Sequence, residues 1–366
     1  MKNKKIVFIA PIPSKENIKD GMIQRVSAID NLFNNCDRIY LDLSYSNNLN
    51  SYSVRDMKNR ICYRYNIFLK YRRIFKMLVA ADIIYVHSVM SAINIILFLP
   101  FFKKKCKVIL DCHGVVPEEA LFQKKKFLSF IFSVVEGIIF KIENSRYIYV
   151  TNAMKNYYDV KYKGSDLKGL VYPIYPSNLF SDNINVDKRN GLLSLFKIEE
   201  NDVVFLYSGN LQEWQNIDLM LDTIKKMVSP RYKFILLTGQ PDLLKKKTMQ
   251  IGLSEEENVF IESVSPYELD NYYSLANFGF ILRDDIVVNT VANPTKMIEY
   301  LKWGIIPIVK SSKVGDFKDL GYEYLYLRDL KINIAPRKSN LNKEIAKKIM
   351  ELSNNVEFEK FVLNEY

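Results

Sequence analysis

The chain has few residues that bind metals or form disulfides. Its 366 residues include 2 histidines and 4 cysteines, and no two cysteines are close enough in sequence to form a paired motif. Structural zinc sites use four cysteine or histidine ligands at short, regular spacings. The composition therefore argues against a zinc site, and unpaired cysteines are typical of the reducing cytosol.

A long hydrophobic run is also missing. The N-terminus has five consecutive apolar residues, 6–10, which is too short for the core of a signal peptide. The two most apolar stretches, 93–107 and 124–141, are interrupted by Pro100 and Glu136, and neither reaches the roughly 20 residues that span a membrane. We therefore expect a cytoplasmic protein.

Basic residues outnumber acidic ones, and the formal net charge of +11 predicts an anionic partner. Nucleic acid is not expected, because the sequence has no zinc-finger spacing, helix-turn-helix or RNA-binding aromatic signature. Lysine triplets instead accompany the two apolar stretches, at 103–105 and 124–126. Such segments suit helices that lie on an anionic membrane, here the inner face of the cell membrane. The alternative is that each is a buried core helix with a solvated lysine end.

The order of apolar runs predicts two α/β domains. Short runs typical of buried strands alternate with helix-length segments in both halves, as in parallel sheets covered on both faces. Glycine, proline, asparagine and serine accumulate between the halves. We predict an N-terminal Rossmann-like acceptor domain at 1–168, a hinge at 169–200 and a Rossmann-like donor domain at 201–345. Residues 346–366 are predicted as a C-terminal helix that can cross back to the N-terminal domain.

The loop after the first predicted strand argues against a nicotinamide cofactor. It contains PIPSKENIKDG, residues 11–21, without the Gly-x-Gly-x-x-Gly pattern of dinucleotide-binding folds. Ligands of doubly wound sheets still bind at the carboxyl ends of the strands. We therefore expect a different ligand in that position.

Residues 280–309 contain a pattern suited to a diphosphate beside a sugar. A predicted strand and loop lead to a helix that Pro294 opens and Asn293 can cap. The helix N-terminus and Lys296 suit a diphosphate. Glu299 follows about one and a half turns later and can accept hydrogen bonds from two sugar hydroxyls. The alternative is a well-capped surface helix with ordinary charges.

The segment 293–309, NPTKMIEYLKWGIIPIV, resembles the donor-binding segment of glycosyltransferase family 4, a branch of the GT-B enzymes. In that family a Pro-Thr-Lys turn precedes a Glu-Tyr-Leu helix and a Gly-x-Pro strand start. Other similar segments follow in the family's order, at 19–21, 110–119, 206–218, 237–239, 258–260, 266–275 and 277–279. The resemblance implies the GT-B fold, which has two Rossmann-like doubly wound domains facing across a cleft.

The resemblance further implies a retaining, metal-independent transferase without a cofactor. It would move a sugar from a UDP- or GDP-sugar to a saccharide or lipid-linked saccharide in bacterial surface polysaccharide synthesis. Cations and helix dipoles would then stabilise the departing nucleoside diphosphate. The N-terminal domain would hold the acceptor, which agrees with the apolar, lysine-rich stretches in that half.

The resemblance implies roles for individual residues. Glu299 would hold the donor ribose, and Gly21 would let the backbone approach the phosphate or sugar. His113 would face the transferred sugar, and Arg283 would supply a second cation for the phosphates. The diphosphate and sugar would meet Asn293, Pro294, Thr295 and Lys296, and the nucleobase would meet Ser263 and Val264.

The chain departs from the family pattern at two places. Val291 occupies the position of the first of two family glutamates, so that role is unfilled or belongs to Asp284, Asp285 or Asn289. Asn210 and Gln215 occupy positions where the family has an arginine and a lysine. Neutralisation of the diphosphate would then depend on Lys296, Arg283 and Arg25.

Other interpretations stay open. The chain could be an epimerase or hydrolase of nucleotide-sugars on the same fold, or a non-catalytic partner that binds a glycolipid or a protein. His87, also at a predicted strand end, could be structural or functional. Glu118 and Glu119 could line the acceptor side or stabilise the start of a helix.

Overall fold

The structure is a computed structural model that describes residues 4–14, 21–56, 60–101, 107–163, 167–173, 175, 184–331, 333–351 and 355–363. The chain forms two compact units. Unit 1 comprises Met1–Ile174 and Asn354–Tyr366, and unit 2 comprises Tyr175–Ser353. Residues 19–20 and the lysine triplet 103–105 lie outside the described residues.

Unit 1 is built on one largely parallel sheet. Its described strands are β1 Lys5–Ile9, β2 Asp37–Ser44, β3 Tyr52–Asp56, β4 Arg60–Asn66, β5 Ile83–His87, β6 Lys107–Cys112, β7 Ser145–Tyr149 and β8 Gly169–Val171. They lie in the order β3-β4-β2-β1-β5-β6-β7-β8, and only the β3–β4 pair is antiparallel among the described pairs. Strand β1 is apolar throughout its centre because both of its faces are covered.

The helices of unit 1 lie between these strands and at the end of the chain. They are α1 Gly21–Leu32, α2 Tyr71–Val79, α3 Ser88–Ala92, α4 Val116–Phe122, α5 Lys126–Ile139, α6 Asn152–Lys161 and α14 Asn355–Leu363. The described part of the apolar stretch 93–107 does not form one long helix but follows the short α3 and contains two 3-10 turns. Within the described ranges, none of the helices is long and apolar enough to cross a membrane.

Unit 2 has a fully parallel sheet among its described strands. These are β9 Val203–Ser208, β10 Tyr232–Leu237, β11 Val259–Glu262, β12 Phe278–Ile281, β13 Ile306–Val309 and β14 Leu325–Tyr326. Their order is β11-β10-β9-β12-β13-β14. Alternate residues of β9 enter two separate hydrophobic clusters, with Leu206 in one and Phe205 in the other. A strand buried on both faces explains the continuous apolar run VVFLY.

Seven described helices accompany this sheet. They are α7 Val186–Leu195, α8 Ile217–Met227, α9 Pro241–Gln250, α10 Leu269–Leu275, α11 Val287–Thr290, α12 Thr295–Lys302 and α13 Asn340–Glu351. Helix α7 lies inside the segment predicted as a hinge, and its Leu192 packs in the core of unit 2. The predicted tail helix is two helices, α13 in unit 2 and α14 in unit 1.

The predicted α/β class with two doubly wound sheets is confirmed. In each sheet the strand order reverses beside the first strand of the unit, between β1 and β5 and between β9 and β12. Ligands of such sheets bind outside the carboxyl ends of the strands at this reversal. The facing of the two units across a cleft stays a prediction.

Helix α14 is anchored in the core of unit 1. Phe358 is fully buried, and its ring stacks on Tyr172 with centroids 4.1 Å apart and lies 6.1 Å from Phe33. The last carbonyls of the helix accept hydrogen bonds from Lys4, Lys107 and Arg146. Cations at a helix C-terminus also complement the helix dipole. Helix α14 is therefore an integral part of unit 1.

Phe358→Ala is expected to destabilise unit 1 by about 3–5 kcal/mol, because it leaves a cavity in a closed aromatic cluster. Urea unfolding of the full chain measures the change. The control is Val356→Ala on the same helix, where the side chain is 61% exposed and a change of about 0.5 kcal/mol or less is expected. Equal midpoints for both variants would show that α14 does not stabilise unit 1.

Candidate functional site

The carboxyl edge of the second sheet gathers most of the predicted donor residues. Strand β9 ends at Ser208 and is followed by Gly209, and Arg283 follows β12 by two residues. Ser263 and Val264 follow β11 at the same edge. Because all these strands are parallel, their carboxyl ends share one side of the sheet.

Lys296 is a buried cation whose direct partners are neutral. It is 7% exposed, and its Nζ donates a hydrogen bond of 2.7 Å to Oε1 of Gln215. The same Nζ lies 4.4 Å from the ring centroid of Tyr207. Burial lowers the pKa of Lys296 well below its usual range, the Arg283 charge lowers it further, and Glu299 opposes the shift. Because burial disfavours the charged form of Lys296, an anion bound next to the ammonium would stabilise that form.

Arg283 is the second buried cation of this edge. It is 8% exposed, and its charge is close enough to depress the pKa of Lys296. We call Lys296 and Arg283 the cation pair. Two buried positive charges repel each other, and an anion between or beside them reduces this repulsion. The pair therefore fits a phosphate-bearing ligand.

Gly209 allows the backbone to pass close to the cation pair. Its φ is +156°, and a Cβ there would lie 3.1 Å from Nζ of Lys296 and 3.2 Å from the hydroxyl oxygen of Tyr207. That hydroxyl donates to the carbonyl of Asn210. A side chain at position 209 would displace the ammonium or the tyrosine. Sequence reasoning did not select Gly209, although a glycine directly after a buried strand was a usable signal.

Glu299 lies on the second turn of α12 and is 8% exposed. Its Oε2 accepts a hydrogen bond of 3.0 Å from the hydroxyl of Tyr273, which also lies 3.0 Å from Oγ of Ser208. Burial raises the pKa of Glu299 to about 7, although the Tyr273 hydrogen bond opposes the shift. The hydroxyl of Tyr300 accepts from the Ser208 N–H. Two tyrosines that the sequence did not mark thus connect α12 to the end of β9.

The predicted helix cap at Asn293 is wrong. Helix α12 begins at Thr295, with Pro294 in the cap position at φ −70° and ψ 116°. The side chain of Asn293 is instead hydrogen-bonded to Tyr175. Proline has no side-chain acceptor, so its side chain caps none of the first backbone amides of α12. An amide-rich helix start next to Lys296 is a suitable place for a phosphate.

The two departures from the family pattern have structural explanations. Val291 is buried at the end of α11. The polar residues that could replace the glutamate already have partners, which are Lys310 for Asp284, Lys313 for Asp285 and the Asp284 carbonyl for Asn289. Gln215, in the place of a cation, holds the ammonium of Lys296.

A second polar cluster lies in unit 1, at the carboxyl ends of β5 and β6. Asp111 is fully buried and accepts hydrogen bonds of 2.7–3.0 Å from Nε and Nη2 of Arg25. The hydroxyl of Tyr85 donates to Oδ2 of Asp111 at 3.1 Å. Burial by itself raises the pKa of Asp111, but Arg25 and His113 outweigh it and hold the pKa well below its usual range. Arg25 is therefore buried in an ion pair with Asp111 and does not face solvent.

Both histidines of the chain contact Asp111. Nε2 of His113 lies 3.2 Å from Oδ2 of Asp111, and Nδ1 of His87 lies 3.5 Å from the same oxygen. The two ring nitrogens are 3.5 Å apart. Burial lowers the pKa of His87 to about 4, although its contact with Asp111 opposes the shift. His113 is the more accessible of the two, with 16% of its side chain exposed. We call Arg25, His87, Asp111 and His113 the histidine cluster.

The histidine cluster contains residues of the types that bind metal ions, although the sequence predicts a metal-independent protein. Donor atoms of His87, Asp111 and His113 lie within 4.8 Å of one another, a set that could hold a metal ion. The two-histidine composition did not reveal this set, because its members come from neighbouring strands and the loop after them. Arg25 already neutralises Asp111, so the cluster offers an ion no net negative charge.

The remaining predicted residues have these positions. Gly21 is the first residue of α1. Glu118 accepts hydrogen bonds from Tyr157 and Lys161, which accounts for it structurally. Glu119 packs against Gly114, where a Cβ would lie 2.0 Å from its Oε1.

Comparisons with known proteins agree with the fold. No protein-family profile matches the sequence, and no curated protein matches it. Solved structures with a similar fold include HepE from Anabaena in complex with UDP-glucose, at 12% identity and a TM-score of 0.62, covering 98% of this chain and 92% of that chain. Sucrose-phosphate synthase from Thermosynechococcus elongatus has 13% identity and a TM-score of 0.64, with 99% and 97% covered. WaaG, a glycosyltransferase involved in lipopolysaccharide biosynthesis, has 10% identity and a TM-score of 0.61, with 99% and 98% covered. The chain thus has the fold of these glycosyltransferases, and its membership of family 4 stays a prediction.

Proposed function

We propose that this protein is a retaining, metal-independent glycosyltransferase. It transfers a sugar from a UDP- or GDP-sugar to a saccharide or lipid-linked saccharide acceptor during cell-surface polysaccharide synthesis. The observation that carries the proposal is the cation pair, in which the direct partners of the buried Lys296 ammonium among the described residues are Gln215 and the Tyr207 ring.

A diphosphate matches the cation pair in charge and position. Desolvation opposes the charged form of Lys296, and an adjacent anion offsets that cost. The start of α12 adds oriented backbone amides at Thr295 and Lys296. As the bond between the sugar and the diphosphate breaks, negative charge grows on the diphosphate oxygens. Fixed cations and amides that are already in place stabilise this charge without needing a metal ion.

Glu299 suits the ribose of the donor. A carboxylate has no donor of its own, so it accepts hydrogen bonds from two neighbouring hydroxyls. Tyr273 fixes its Oε2 from the core side. Glu299 lies on the same helix as Lys296, one turn further along. A nucleoside diphosphate presents its ribose next to its phosphates, so these two side chains fit one ligand.

The apolar face of α5, formed by Phe127, Phe130 and Val134, supports an association with membrane lipids. These side chains are exposed, with Phe127 at 75% and Phe130 at 67%. Lysines 124–126 are exposed at the start of the same helix. The opposite side of α5 is buried through Val135 and Ile139. Exposed phenylalanines beside lysines match the interface of an anionic bilayer, where a lipid-linked acceptor would be found.

UDP or GDP is expected to raise the melting temperature of the wild-type protein. A ligand at 100 times its dissociation constant stabilises the folded state by about 2.7 kcal/mol. Glu299→Ala should lose this shift because the ribose contacts are gone. The control is Glu344→Ala, at an exposed position on α13. If neither nucleotide shifts wild type, or if Glu299→Ala shifts equally, the donor site is not where we place it.

Nucleotide affinity is also expected to depend on the ionisation of Glu299. Its pKa is about 7 in the free protein, so the carboxylate form that accepts ribose hydroxyls increases as the pH rises from 6 to 8. The affinity of wild type for UDP, relative to Glu299→Gln, should rise about tenfold over this range. Isothermal titration at several pH values measures the ratio. A constant ratio would contradict a ribose contact by this carboxylate.

Anionic vesicles of phosphatidylglycerol are expected to bind the protein, and phosphatidylcholine vesicles are not. Each lysine near an anionic surface contributes about 1 kcal/mol, so Lys125→Gln with Lys126→Gln should weaken binding about 30-fold. The matched control is Lys245→Gln with Lys246→Gln, an equally exposed pair on α9. Vesicle sedimentation measures both. Equal weakening by the two double variants would contradict a membrane role for α5.

A further inference from the structure

Gln215 meets the buried ammonium of Lys296 with an oxygen that carries no charge. Gln215 is 5% exposed, and its Oε1 accepts the 2.7 Å hydrogen bond from Nζ of the lysine. An ammonium group only donates hydrogen bonds, so the amide must present its oxygen, and not its nitrogen, to Lys296. The amide nitrogen, Nε2, lies 3.5 Å from Oδ1 of Asn210. The orientation of the Gln215 amide is therefore defined on both sides.

Asn210 contacts both neutral partners of the ammonium. Its Oδ1 faces Gln215, and its carbonyl accepts a hydrogen bond from the hydroxyl of Tyr207, whose ring lies 4.4 Å from Nζ of Lys296. Oδ1 also accepts a hydrogen bond from the backbone N–H of Gln212. Asn210 and Gln215 are the two positions where the family has an arginine and a lysine. The two departures thus belong to one arrangement, which surrounds a cation with neutral groups.

The short turn that carries Gln215 is attached to the loop of the second cation, Arg283. Asn216 follows this turn with a left-handed backbone at φ 52°. Its Nδ2 donates to the Leu282 carbonyl at 2.7 Å and to Oδ2 of Asp284 at 2.9 Å. These two residues lie directly before and after Arg283 in the sequence. One turn therefore positions the partner of the first cation and holds the loop of the second.

An ammonium held by two neutral groups keeps its capacity to bind an anion. A lysine ammonium has three N–H donors. Among the described residues, Nζ of Lys296 has one hydrogen-bond acceptor, Oε1 of Gln215, and one ring face, that of Tyr207. A hydrogen bond to an amide oxygen fixes the position of Nζ but leaves its charge uncompensated. A carboxylate in the same place would form an ion pair and remove most of the attraction for a second anion.

We propose that Gln215 is a positioning and specificity-determining residue, which fixes Lys296 through a neutral oxygen so that a remaining N–H binds an oxygen of a diphosphate. Asn210 acts through Gln215. Because neutral amides stand where the family has cations, the cation pair supplies the positive charge for the diphosphate in this chain. The inference rests on the proposed donor site, but the anion that it requires can be any diphosphate, including inorganic pyrophosphate.

Calorimetric titration with inorganic pyrophosphate tests the selection of the anion without a base or a ribose. Wild type is expected to bind it. Gln215→Glu should bind it about tenfold more weakly or worse, because the new carboxylate compensates Lys296 and repels the ligand. The matched control is Gln212→Glu, which adds the same charge at an exposed position of the same loop and should stay within about twofold of wild type. Equal weakening by the two variants, or no binding by wild type, would overturn the proposal.

Carbon-13 NMR of lysine-labelled protein tests the contact without any ligand. The Cε signal of Lys296, identified by its loss in Lys296→Met, reports the ionisation of the ammonium. Gln215→Glu should raise the pKa of Lys296, because a carboxylate favours the charged form. Gln215→Met should lower this pKa further, because the acceptor is lost, and Gln212→Glu should leave it unchanged. The same pKa of Lys296 in all three variants would show that Gln215 only fills space.

Gln215→Met also decides the matter if Gln215→Glu does not fold. Methionine keeps the length of the side chain but has no strong acceptor for the ammonium. Pyrophosphate binding should then weaken about fivefold, which is the typical effect of one lost hydrogen bond. Unchanged binding of pyrophosphate by a folded Gln215→Met protein would overturn the positioning role.

UDP and GDP separate the failure of this inference from the failure of the proposed function. Both nucleotides contain the diphosphate that pyrophosphate imitates and add a ribose and a base. If pyrophosphate binds and the variants respond as expected, but neither nucleotide binds, the role of Gln215 stands and the donor assignment is wrong. If a nucleotide binds wild type and Gln215→Glu equally well, the donor assignment stands and the role of Gln215 is wrong.

Discussion

The cost of burying a positive charge is the constraint on which the carboxyl edge of the sheet in unit 2 depends. Lys296 is held away from water by a tyrosine ring and a glutamine, neither of which carries a charge. Glycine at position 209 leaves room for the ammonium, since a Cβ there would lie 3.1 Å from Nζ of Lys296. Tyr273 and Tyr300 then connect the helix that carries Lys296 to the strand that carries Gly209. An anion bound at this edge would offset the cost of burying the ammonium.

Unit 1 also buries a charge near the carboxyl edge of its sheet, but there the charge is negative and is compensated by its neighbours. Asp111, on β6 next to the strand β5 at the reversal, is compensated by Arg25, Tyr85 and the two histidines. A compensated charge attracts no ion but orients its neighbours. The same sheet topology therefore surrounds a buried cation with neutral partners in unit 2 and a buried anion with compensating groups in unit 1.

The sequence allowed the fold and part of the candidate site's arrangement to be predicted, for identifiable reasons. Buried parallel strands leave continuous apolar runs such as VVFLY, and Lys296 and Glu299 share a helix start, so local spacing sufficed. The contacts of Gln215 and Tyr273 join segments that are distant in sequence, and their side chains are neutral. The grouping of His87 with His113 depends on the pairing of β5 with β6. The cap assigned to Asn293 failed because Pro294 has an extended backbone, which moves the start of the helix by one residue.

A crystal structure of the protein with UDP and, in parallel, with GDP would test the central claim most directly. The account predicts one of these nucleotides at the carboxyl edge of the second sheet, with its diphosphate on the cation pair and the first amides of α12. The ribose hydroxyls should bond to Glu299. A nucleotide bound elsewhere would contradict the account. So would a bound diphosphate that makes no contact with Lys296, leaving Gln215 as the only polar partner of that ammonium among the described residues.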